Sequence, residues 1–513
     1  MGVIYEERCY RAVCSRDGRF DGAFFTAVLT TGIYCRPSCP ATTPKRENVR
    51  FFSTAAGAQE AGFRACKRCR PDAAPGSPEW LRRQDTVARA VRLIADGVVD
   101  REGISGLASR LGYSTRQLHR IVFAELGTGP LTLARAHRVQ HARMLLETTD
   151  LPVTDVAFAA GFGSVRQFND CVLQVYAMAP TELRRAGPPG RATRHSGHGP
   201  DRSAGIEVHL SYRPPLDITG LLTFLAARAI PGVESFDGSL YRRVLSLPHG
   251  TGVLSVAVDQ RAESRSRAER GVAYLTCNLS LDDQRDFVAA VARARRLLDL
   301  DADPVAVRTI LDGDPLMSPL VNARPGLRVP GSVDAFEIAA RAVVGQQISV
   351  PAARKVLGRI VGSLGKPLEA PLGALSHHFP TPEAIAGADP AGLPLPAKRA
   401  ETLRRVALAV CEGGLTLDPG ADRDDVEQQL RTIPGVGTWT AGYVRMRGLG
   451  DPDVFLGTDL AIKASLSNRA DTPAVESWRP WRSYATVHLW ADAAANPKTR
   501  PDDRQHEKGM ISI

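Results

Sequence analysis

The spacing of apolar positions divides the chain into two helical regions with a mixed region between them. From residue 80 to residue 186, apolar residues recur at helical spacing throughout. IEVHLSYRPPLDITGLLTFLA, which begins at Ile206, starts with alternating apolar residues and continues as a helix, and the next segments, YRRVLSLP and GVLSVAV, are typical of strands. From about Val329 onward the pattern is helical again. The sequence therefore predicts a mixed α/β unit between two helical domains.

The first helical region contains a weak internal repeat. ISGLASRLGYSTRQLHRIV begins at Ile104, and VTDVAFAAGFGSVRQFNDCV begins at Val153. Each copy has an amphipathic helix, a glycine at the turn and a second helix with a serine cap, Ser114 in the first copy and Ser164 in the second. This pattern predicts a pair of helix-turn-helix units.

Polar stretches rich in proline and glycine mark the domain boundaries. PDAAPGSP, residues 71–78, is typical of a short hinge, and GPPGRATRHSGHGPDRSAG, residues 187–205, is typical of a flexible linker. We expect six segments: 1–73, 80–186, a linker at 187–204, 205–323, 324–495 and a polar tail at 496–513.

Composition indicates folded domains and an anionic partner. Of the 513 residues, 43% are hydrophobic and 23% are charged, and no apolar run approaches the ~18 residues of a membrane span. The stretch MGVIYEERCYRAV is charged and lacks the apolar run of a secretion signal, so we expect a cytoplasmic protein with no membrane partner. A net charge of +10, in which arginine dominates the basic residues, favours an anionic partner.

Four of the nine cysteines lie at metal-ligand spacing. Cys35-x3-Cys39 and Cys66-x2-Cys69 supply four thiolates, which suit one tetrahedral Zn²⁺ ion. In a reducing compartment such pairs favour metal binding or catalysis over disulfides. Four unrelated free cysteines are the alternative. Spacing alone does not distinguish a structural zinc knuckle from a reactive zinc thiolate.

The cysteine pairs lie within motifs that resemble a known family. FDGAFFTAVLTTGIYCRPSCP, RENVRFF and AGFRACKRCRPD closely resemble the N-terminal domain of the Ada DNA alkylation-response proteins, over nearly all of residues 1–73. The resemblance implies that all four cysteines bind zinc and that the first, Cys35, irreversibly accepts a methyl group from a DNA methylphosphotriester. The family often has a basic run after the second cysteine, where this chain has PATTP. We therefore assign phosphate contacts to Arg36, Lys45 and Arg46.

The repeated helical region resembles the AraC-type DNA-binding module. GFGSVRQFNDCVLQVYAMAPTELRR matches its second unit. Two such units would place two recognition helices in successive major grooves of double-stranded DNA. The resemblance implies an operator site and RNA polymerase as partners. The side chains expected to read DNA lie on the second helix of each unit: Ser114, Thr115, Arg116, His119, Arg120, Ser164, Arg166, Gln167 and Asn169.

A glycine-rich turn characterises the second helical region. In LRTIPGVGTWTAGYV, which begins at Leu430, Pro-Gly-Val-Gly lies between two predicted helices, where Gly435 and Gly437 let backbone amides approach a phosphate. This is the pattern of a helix-hairpin-helix, a sequence-independent DNA anchor. The segment VFLGTDLAIK, which contains Asp459, follows it.

The hairpin and its surroundings resemble a second family. Together with VVGQQISVPAARK, LPAKRAETL and WRPWRSYATVHLW, they closely resemble the AlkA-type DNA glycosylases, from the mixed unit onward. The resemblance implies that Asp459 is catalytic and that Trp439, Tyr443 and Trp490 line the base pocket. Related lyase-type glycosylases have a lysine at the position of Trp439, so a monofunctional enzyme is expected. Gln347 occupies the position at which the family inserts a bulky apolar side chain into the gap left by the flipped base.

These observations predict a multidomain α+β protein. We expect a small zinc domain, an all-α AraC-type double helix-turn-helix, a mixed α/β AlkA N-terminal domain and an all-α helix-hairpin-helix glycosylase domain, in a monomer. The predicted function is DNA alkylation repair with regulation of the adaptive response, including excision of bases such as 3-methyladenine. Two alternatives stay open: a transcription regulator whose inactive glycosylase half is a DNA-binding scaffold, and a zinc domain that is purely structural.

Overall fold

The computed structural model describes residues 3–16, 20–69, 71, 85–185, 205–258, 273–467 and 473–495. Beyond Pro71, the expected hinge lies outside the described residues, and so do the expected linker at 187–204 and the expected tail at 496–513. Among the described helices, none is long and apolar enough to cross a membrane.

The N-terminal domain is built on a four-stranded sheet. Its elements are α1 (Val3–Cys14), β1 (Phe25–Val28), β2 (Ile33–Cys35), β3 (Val49–Phe52), α2 (Ala55–Glu60) and β4 (Arg64–Ala65), with the strand order β3-β1-β2-β4. β1 is antiparallel to both of its neighbours, whereas β4 is parallel to β2, with Tyr34 opposite Ala65. Because parallel strands end at the same edge of a sheet, the residues at the ends of β2 and β4 lie side by side.

The next region is helical, as the periodicity predicts. Its helices are α3 (Asp85–Ala95), α4 (Val98–Arg110), α5 (Thr115–Leu126), α6 (Pro130–Thr148), α7 (Val153–Ala159), α8 (Val165–Tyr176) and α9 (Pro180–Arg185). The turns of the repeat contain Gly112 and Gly161, with φ values of 75° and 88°. Ser114 caps α5 and Ser164 caps α8 through their side chains. The predicted pair of helix-turn-helix units is confirmed, with α4–α5 as the first and α7–α8 as the second.

A five-stranded antiparallel sheet forms the mixed unit. Its elements are β5 (Ile206–Tyr212), α10 (Ile218–Ala227), β6 (Glu234–Phe236), β7 (Leu240–Ser246), β8 (Thr251–Ala257), β9 (Ala273–Leu281), α11 (Phe287–Leu297), α12 (Pro304–Leu311) and α13 (Met317–Ala323). The strand order is β5-β9-β8-β7-β6. Alternate residues of β8, such as Leu254 and Val256, are buried in one core with Phe287 and Val291 of α11. The predicted mixed unit is therefore confirmed.

The C-terminal domain is helical apart from a short hairpin. Its helices are α14 (Ala335–Val344), α15 (Val350–Leu364), α16 (Pro382–Ala386), α17 (Ala397–Cys411), α18 (Arg423–Thr432), α19 (Thr438–Tyr443), α20 (Leu460–Ser467) and α21 (Arg482–Ala495), and a π-helical turn (Val444–Gly448) follows α19. We expected an all-α domain, but β10 (Pro367–Leu372) and β11 (Leu375–His377) form an antiparallel pair. The turn between them contains Gly373 with a φ of 60°, which lets the chain reverse sharply.

The helix-turn-helix module is joined to the C-terminal half through α3. Arg89 Nε donates a hydrogen bond to the Gly420 carbonyl oxygen at 2.6 Å, and Arg92 donates to the Pro419 carbonyl oxygen. Just after α3, the buried carboxylate of Asp96 accepts a hydrogen bond from Arg296 Nη1 of α11 at 2.8 Å. These contacts orient the module relative to both C-terminal units.

A buried network of four charged residues joins the sheet of the mixed unit to the helical domain. Arg243 of β7 lies 3.3 Å from Glu234 and 2.8 Å from Glu337 of α14, and Arg341 pairs with both carboxylates. Burial raises the pKa of Glu234, but the Arg341 and Arg243 guanidinium groups outweigh it and bring the pKa to about 2. Arg341 Nη1 also donates to the Arg228 carbonyl oxygen at 2.8 Å. The network therefore positions the segment that follows α10.

Removing one carboxylate from this network should destabilise the C-terminal half. In Glu337→Gln two buried guanidinium groups face a single carboxylate, and such a loss lowers the free energy of unfolding by about 3–5 kcal/mol. Four of the five tryptophans lie beyond residue 430, so urea unfolding followed by tryptophan fluorescence reports on this half. The control is Glu401→Gln, which removes the carboxylate that pairs with Arg404 and Arg405 at the surface and should leave the stability close to that of the wild type. Equal effects of the two substitutions would contradict this role.

Candidate metal centre and active site

Four cysteine thiols converge at one edge of the N-terminal sheet. Cys35 ends β2 and Cys66 directly follows β4, and the Cys66 backbone nitrogen donates a hydrogen bond to the Tyr34 carbonyl oxygen at 3.0 Å. The sulfur atoms of these two residues, Cys39 and Cys69 all lie within 4.8 Å of one another. A tetrahedral ion with Zn–S bonds of about 2.3 Å needs sulfur atoms about 3.8 Å apart. The donor set fits zinc, and the predicted zinc site is confirmed.

The two pairs of cysteines differ in their access to solvent. Cys66 and Cys69 are buried, whereas Cys35 and Cys39 are partly exposed. A DNA substrate could therefore approach the first pair more easily than the second. The assignment of the reactive sulfur to Cys35 stays a prediction.

The three cations assigned to phosphate binding occupy different environments. Arg36 is 3% exposed, and its Nη1 lies 3.3 Å from Asp21 Oδ2. Arg46 pairs with Glu6 at 2.7 Å and is partly exposed. The Lys45 side chain is 82% exposed. Lys45 is therefore accessible to DNA as it stands, whereas Arg36 would have to leave its carboxylate partner before it could bind a phosphate.

The side chains predicted to read DNA are all exposed. Ser114 Oγ accepts a hydrogen bond from Gln117 N at 3.3 Å, and Ser164 Oγ accepts one from Gln167 N at 3.2 Å, so both serine hydroxyls are engaged as caps. The His119 ring stacks on Phe123 with centroids 5.8 Å apart. The other predicted side chains project from the exposed faces of α5 and α8: Thr115, Arg116, Arg120, Arg166, Gln167 and Asn169.

The hairpin between α18 and α19 has the geometry that its glycines indicate. Gly435 has a φ of 92°, and a Cβ atom there would lie 2.1 Å from Thr402 Oγ1. A Cβ atom on Gly437 would meet nothing within 4 Å. Thr402 Oγ1 donates to the Pro434 carbonyl oxygen at 3.0 Å, and Gln346 Nε2 donates to the Gly435 carbonyl oxygen at 2.9 Å. The hairpin is anchored on its inner side while its outer edge stays open.

Gln347 lies beside the hairpin, in the loop between α14 and α15. It is exposed and has a φ of 58°, in the left-handed region that residues other than glycine rarely adopt. The preceding Gln346 is tied to Gly435 and, through a 2.9 Å hydrogen bond, to Thr440 Oγ1. Such contacts can maintain a conformation that costs about 1–2 kcal/mol, as is common at ligand-binding positions. Gln347 therefore projects from a loop of fixed shape.

The predicted catalytic aspartate caps α20. Asp459 Oδ1 accepts hydrogen bonds from the backbone nitrogens of Ala461 and Ile462 at 2.9 and 3.3 Å. Asp459 Oδ2 accepts one from Trp439 Nε1 at 2.8 Å. These donors fix both oxygens, and the helix N-terminus and the indole N–H favour a negative charge there. A fixed anion of this kind can stabilise positive charge that develops in a bound ligand.

The three predicted pocket aromatics form one group with Asp459. The Trp439 and Tyr443 rings stack with centroids 5.1 Å apart, and the centroids of Tyr443 and Trp490 are 6.2 Å apart. A fourth ring, Phe224 of α10, stacks on Trp490 at 6.1 Å. The group therefore draws on three helices, and Phe224 is a member that the sequence analysis missed.

Two arginines in the same group were also missed. The guanidinium carbons of Arg228 and Arg447 lie 3.7 and 5.0 Å from the centroid of the Phe224 ring, and Arg447 Nη1 donates to the Tyr443 hydroxyl at 2.5 Å. Burial lowers the pKa of Arg228 to about 10. Burial raises the pKa of Tyr443, but the Arg447 and Arg228 guanidinium groups outweigh it and leave the pKa below its ordinary value. The site thus combines aromatic faces, two cations and the Asp459 carboxylate.

Comparison with known families matches three parts of the chain. The model for the metal binding domain of Ada matches residues 8–72, a helix-turn-helix domain matches residues 107–186, and the AlkA N-terminal domain matches residues 207–334. These matches correspond to the zinc domain, the helix-turn-helix module and the mixed unit described above.

Whole proteins with similar sequences combine the same parts. "Probable bifunctional transcriptional activator/DNA repair enzyme AlkA" of Mycobacterium tuberculosis (strain ATCC 25618 / H37Rv) is 49% identical over 491 residues, which are 94% of this chain and 96% of that protein. DNA-3-methyladenine glycosylase 2 of Escherichia coli (strain K12) is 38% identical over 55% of this chain and 95% of its own length. The bifunctional transcriptional activator/DNA repair enzyme Ada of the same organism is 33% identical over 36% of this chain and 50% of its own length.

The extent of the first match is decisive, because it covers the zinc domain, the helix-turn-helix module and both C-terminal units in one alignment. The other two relatives match only 55% and 36% of the chain. The chain therefore belongs to the family of bifunctional transcriptional activator/DNA repair enzymes in which an Ada-type zinc domain and a helix-turn-helix module are joined to an AlkA-type DNA glycosylase.

Proposed function

We propose that this protein repairs alkylated DNA by two separate chemistries and regulates transcription in response to the damage. The observation that carries the proposal is the Asp459 carboxylate fixed beside an aromatic group, in a chain that also contains a four-thiolate zinc site. Relatives named as bifunctional activators and repair enzymes support the same combination.

At the zinc site, Cys35 would accept a methyl group from a DNA methylphosphotriester. Bound zinc keeps a cysteine thiolate deprotonated at neutral pH, where a free cysteine with a pKa of ~8.5 is mostly a thiol. The Cys35 sulfur attacks the methyl carbon, so that a carbon–sulfur bond forms, the carbon–oxygen bond breaks and the phosphate leaves as an anionic diester. The thioether is stable, and each chain therefore transfers one methyl group.

Methylation also changes the charge that the zinc site presents to DNA. Four thiolates on Zn²⁺ carry a formal charge of about −2, and one thioether leaves about −1. Weaker repulsion of the DNA phosphates then raises DNA affinity. We propose this change as the signal that brings α5 and α8 to an operator, where the protein contacts RNA polymerase.

The arrangement of two helix-turn-helix units in one chain supports action as a monomer. Each unit presents one recognition helix, so a single chain can occupy two successive major grooves without a second copy. Because DNA is the partner of every proposed activity, we infer that the protein works in the cytoplasm.

In the pocket, Asp459 would support the removal of alkylated purines such as 3-methyladenine. The base first leaves the helical stack at a cost of a few kcal/mol, and Gln347 would occupy the gap. Stacking on the aromatic group then favours a cationic base by about 0.5–2 kcal/mol for each ring. As the bond between base and sugar breaks, the carboxylate stabilises the positive charge on the sugar, and water completes the hydrolysis. Trp439 at the lyase lysine position supports a monofunctional reaction.

Asp459→Asn should lower the rate of base excision by roughly 10²–10³-fold, because the amide can keep the cap of α20 but carries no negative charge. The measurement is the single-turnover release of 3-methyladenine from alkylated duplex DNA. Glu369→Gln, at an exposed carboxylate of β10, is the matched control and should keep the wild-type rate. An unchanged rate in Asp459→Asn would show the assignment to be wrong. Absence of excision by the wild-type protein would favour the alternative of a DNA-binding scaffold.

Trp439→Phe should separate the two tasks of the tryptophan, since it keeps an aromatic ring and removes the hydrogen bond to Asp459. A hydrogen bond to a charged group contributes about 1.5–3 kcal/mol, so the single-turnover rate should fall by about 10–100-fold. Trp490→Phe is the comparison, because it also truncates an indole of the aromatic group but leaves the Trp439–Asp459 bond intact. If the single-turnover rate falls equally in Trp490→Phe and Trp439→Phe, Trp439 contributes only through stacking and not through its hydrogen bond to Asp459.

Cys35→Ser should abolish methyl transfer, because a serine hydroxyl is not held as a nucleophilic anion at neutral pH. The measurement is the intact mass of the protein after incubation with DNA that carries methylphosphotriesters, followed by peptide mapping. Cys411→Ser, at an exposed cysteine outside the cluster, should still gain one methyl group. A wild-type protein that binds zinc and gains no methyl group would favour the purely structural zinc domain.

A further inference from the structure

The loop that carries Cys35 and Cys39, residues 35–39, is held by a carboxylate outside the zinc cluster. Asp21 Oδ1 accepts a hydrogen bond from Ser38 N at 3.0 Å, and Asp21 Oδ2 accepts one from Ser38 Oγ at 2.5 Å. The same Oδ2 lies 3.3 Å from Arg36 Nη1. Asp21 and Arg36 are both buried. One carboxylate therefore binds two of the three residues between the metal-binding cysteines.

Asp21 is in turn attached to the C-terminal half of the chain. Arg213, which directly follows β5, donates a hydrogen bond from Nη2 to the Asp21 carbonyl oxygen at 2.9 Å. Its Nη1 donates to the Asp301 carbonyl oxygen at 3.2 Å, and its own carbonyl oxygen accepts a hydrogen bond from Arg328 Nη2 at 2.6 Å. Arg213 and Arg328 are buried. The arginine that contacts Asp21 is therefore a fixed part of the mixed unit.

From these contacts we infer that Asp21 is a positioning residue for the methyl-acceptor loop and that Arg213 links this loop to the glycosylase half. Methyl transfer at Cys35 then depends on a residue of the mixed unit as well as on the zinc domain. The inference rests on the proposed function, in that it takes Cys35 as the methyl acceptor.

The dependence follows from the geometry that a displacement reaction requires. The sulfur must approach the methyl carbon in line with the bond that breaks, and a misplacement of about 1 Å can slow a reaction by roughly 100-fold. Ser38 and Arg36 lie directly between the two partly exposed cysteines, so their bonds to Asp21 set the orientation of the Cys35 side of the loop. Without Arg213, the Asp21 carbonyl oxygen would lose its hydrogen bond to the mixed unit.

The first test measures single-turnover methyl transfer in the full-length protein, with zinc content determined for every variant. Asp21→Ala should slow transfer by roughly 100-fold and Arg213→Met by roughly 10-fold, with zinc still bound. Asp21→Asn, which keeps an acceptor for Ser38 but loses the charge opposite Arg36, should be intermediate. The matched control is Arg308→Met, an exposed arginine of α12, which should transfer at the wild-type rate. Wild-type rates in both Asp21→Ala and Arg213→Met would overturn the proposal, as would loss of zinc from Arg213→Met.

A second readout does not depend on methyl transfer. Hydrogen exchange of the peptide that covers residues 33–39 reports on the Ser38 amide, whose acceptor is Asp21. Exchange should be about 10-fold faster in Asp21→Ala and in Arg213→Met and unchanged in Arg308→Met. If the wild-type protein accepts no methyl group, the proposed function fails, whereas the exchange result still decides whether the two residues hold the loop. Unchanged exchange in both variants would overturn the proposal.

Discussion

The hydrogen bond between the Trp439 indole nitrogen and the Asp459 carboxylate joins the helix that follows the glycine hairpin to the proposed reaction centre. Trp439 stands on α19, directly after the glycine hairpin, and Asp459 caps α20. On the other side of the hairpin, Gln346 ties it to the loop that carries Gln347. The element proposed to bind phosphate, the carboxylate and the side chain proposed to fill the flipped-base gap are therefore positioned relative to one another. A shift of the hairpin would displace all three together.

The charges within the aromatic group would restrict how the proposed pocket selects a base. Arg228 and Arg447 place two positive charges beside the rings, and Asp459 supplies one negative charge. The net positive charge of this group would therefore oppose the stacking gain of a cationic base such as 3-methyladenine. Its selection would then also depend on its reactivity as a leaving group. In the proposed reaction the Asp459 carboxylate would be most effective when positive charge develops on the sugar.

Local sequence patterns indicate the candidate metal ligands and the hairpin, but they do not indicate which distant residues pack around the candidate sites. The cysteine spacing, the serine caps and the glycine hairpin are short-range features. The residues that form each of them lie within a few positions of one another, so the sequence alone indicates them. Phe224 joins the aromatic group because its ring stacks on Trp490, and no local pattern links residues so distant in sequence. The sequence predicts that Arg36 contacts phosphate, but in the structure Arg36 is buried and pairs with Asp21, whose carbonyl oxygen accepts a hydrogen bond from Arg213. Burial and long-range pairing arise only when the domains pack together.

Both proposed repair chemistries can be followed in a single sample of one protein. Full-length protein would be incubated with duplex DNA that contains methylphosphotriesters and 3-methyladenine, and the methyl groups on protein and the released bases would be counted together. We expect methyl uptake to stop at one group per chain, on Cys35, while base release continues for many turnovers. Uptake at another residue, or base release without any methyl transfer to a zinc-loaded protein, would contradict this expectation.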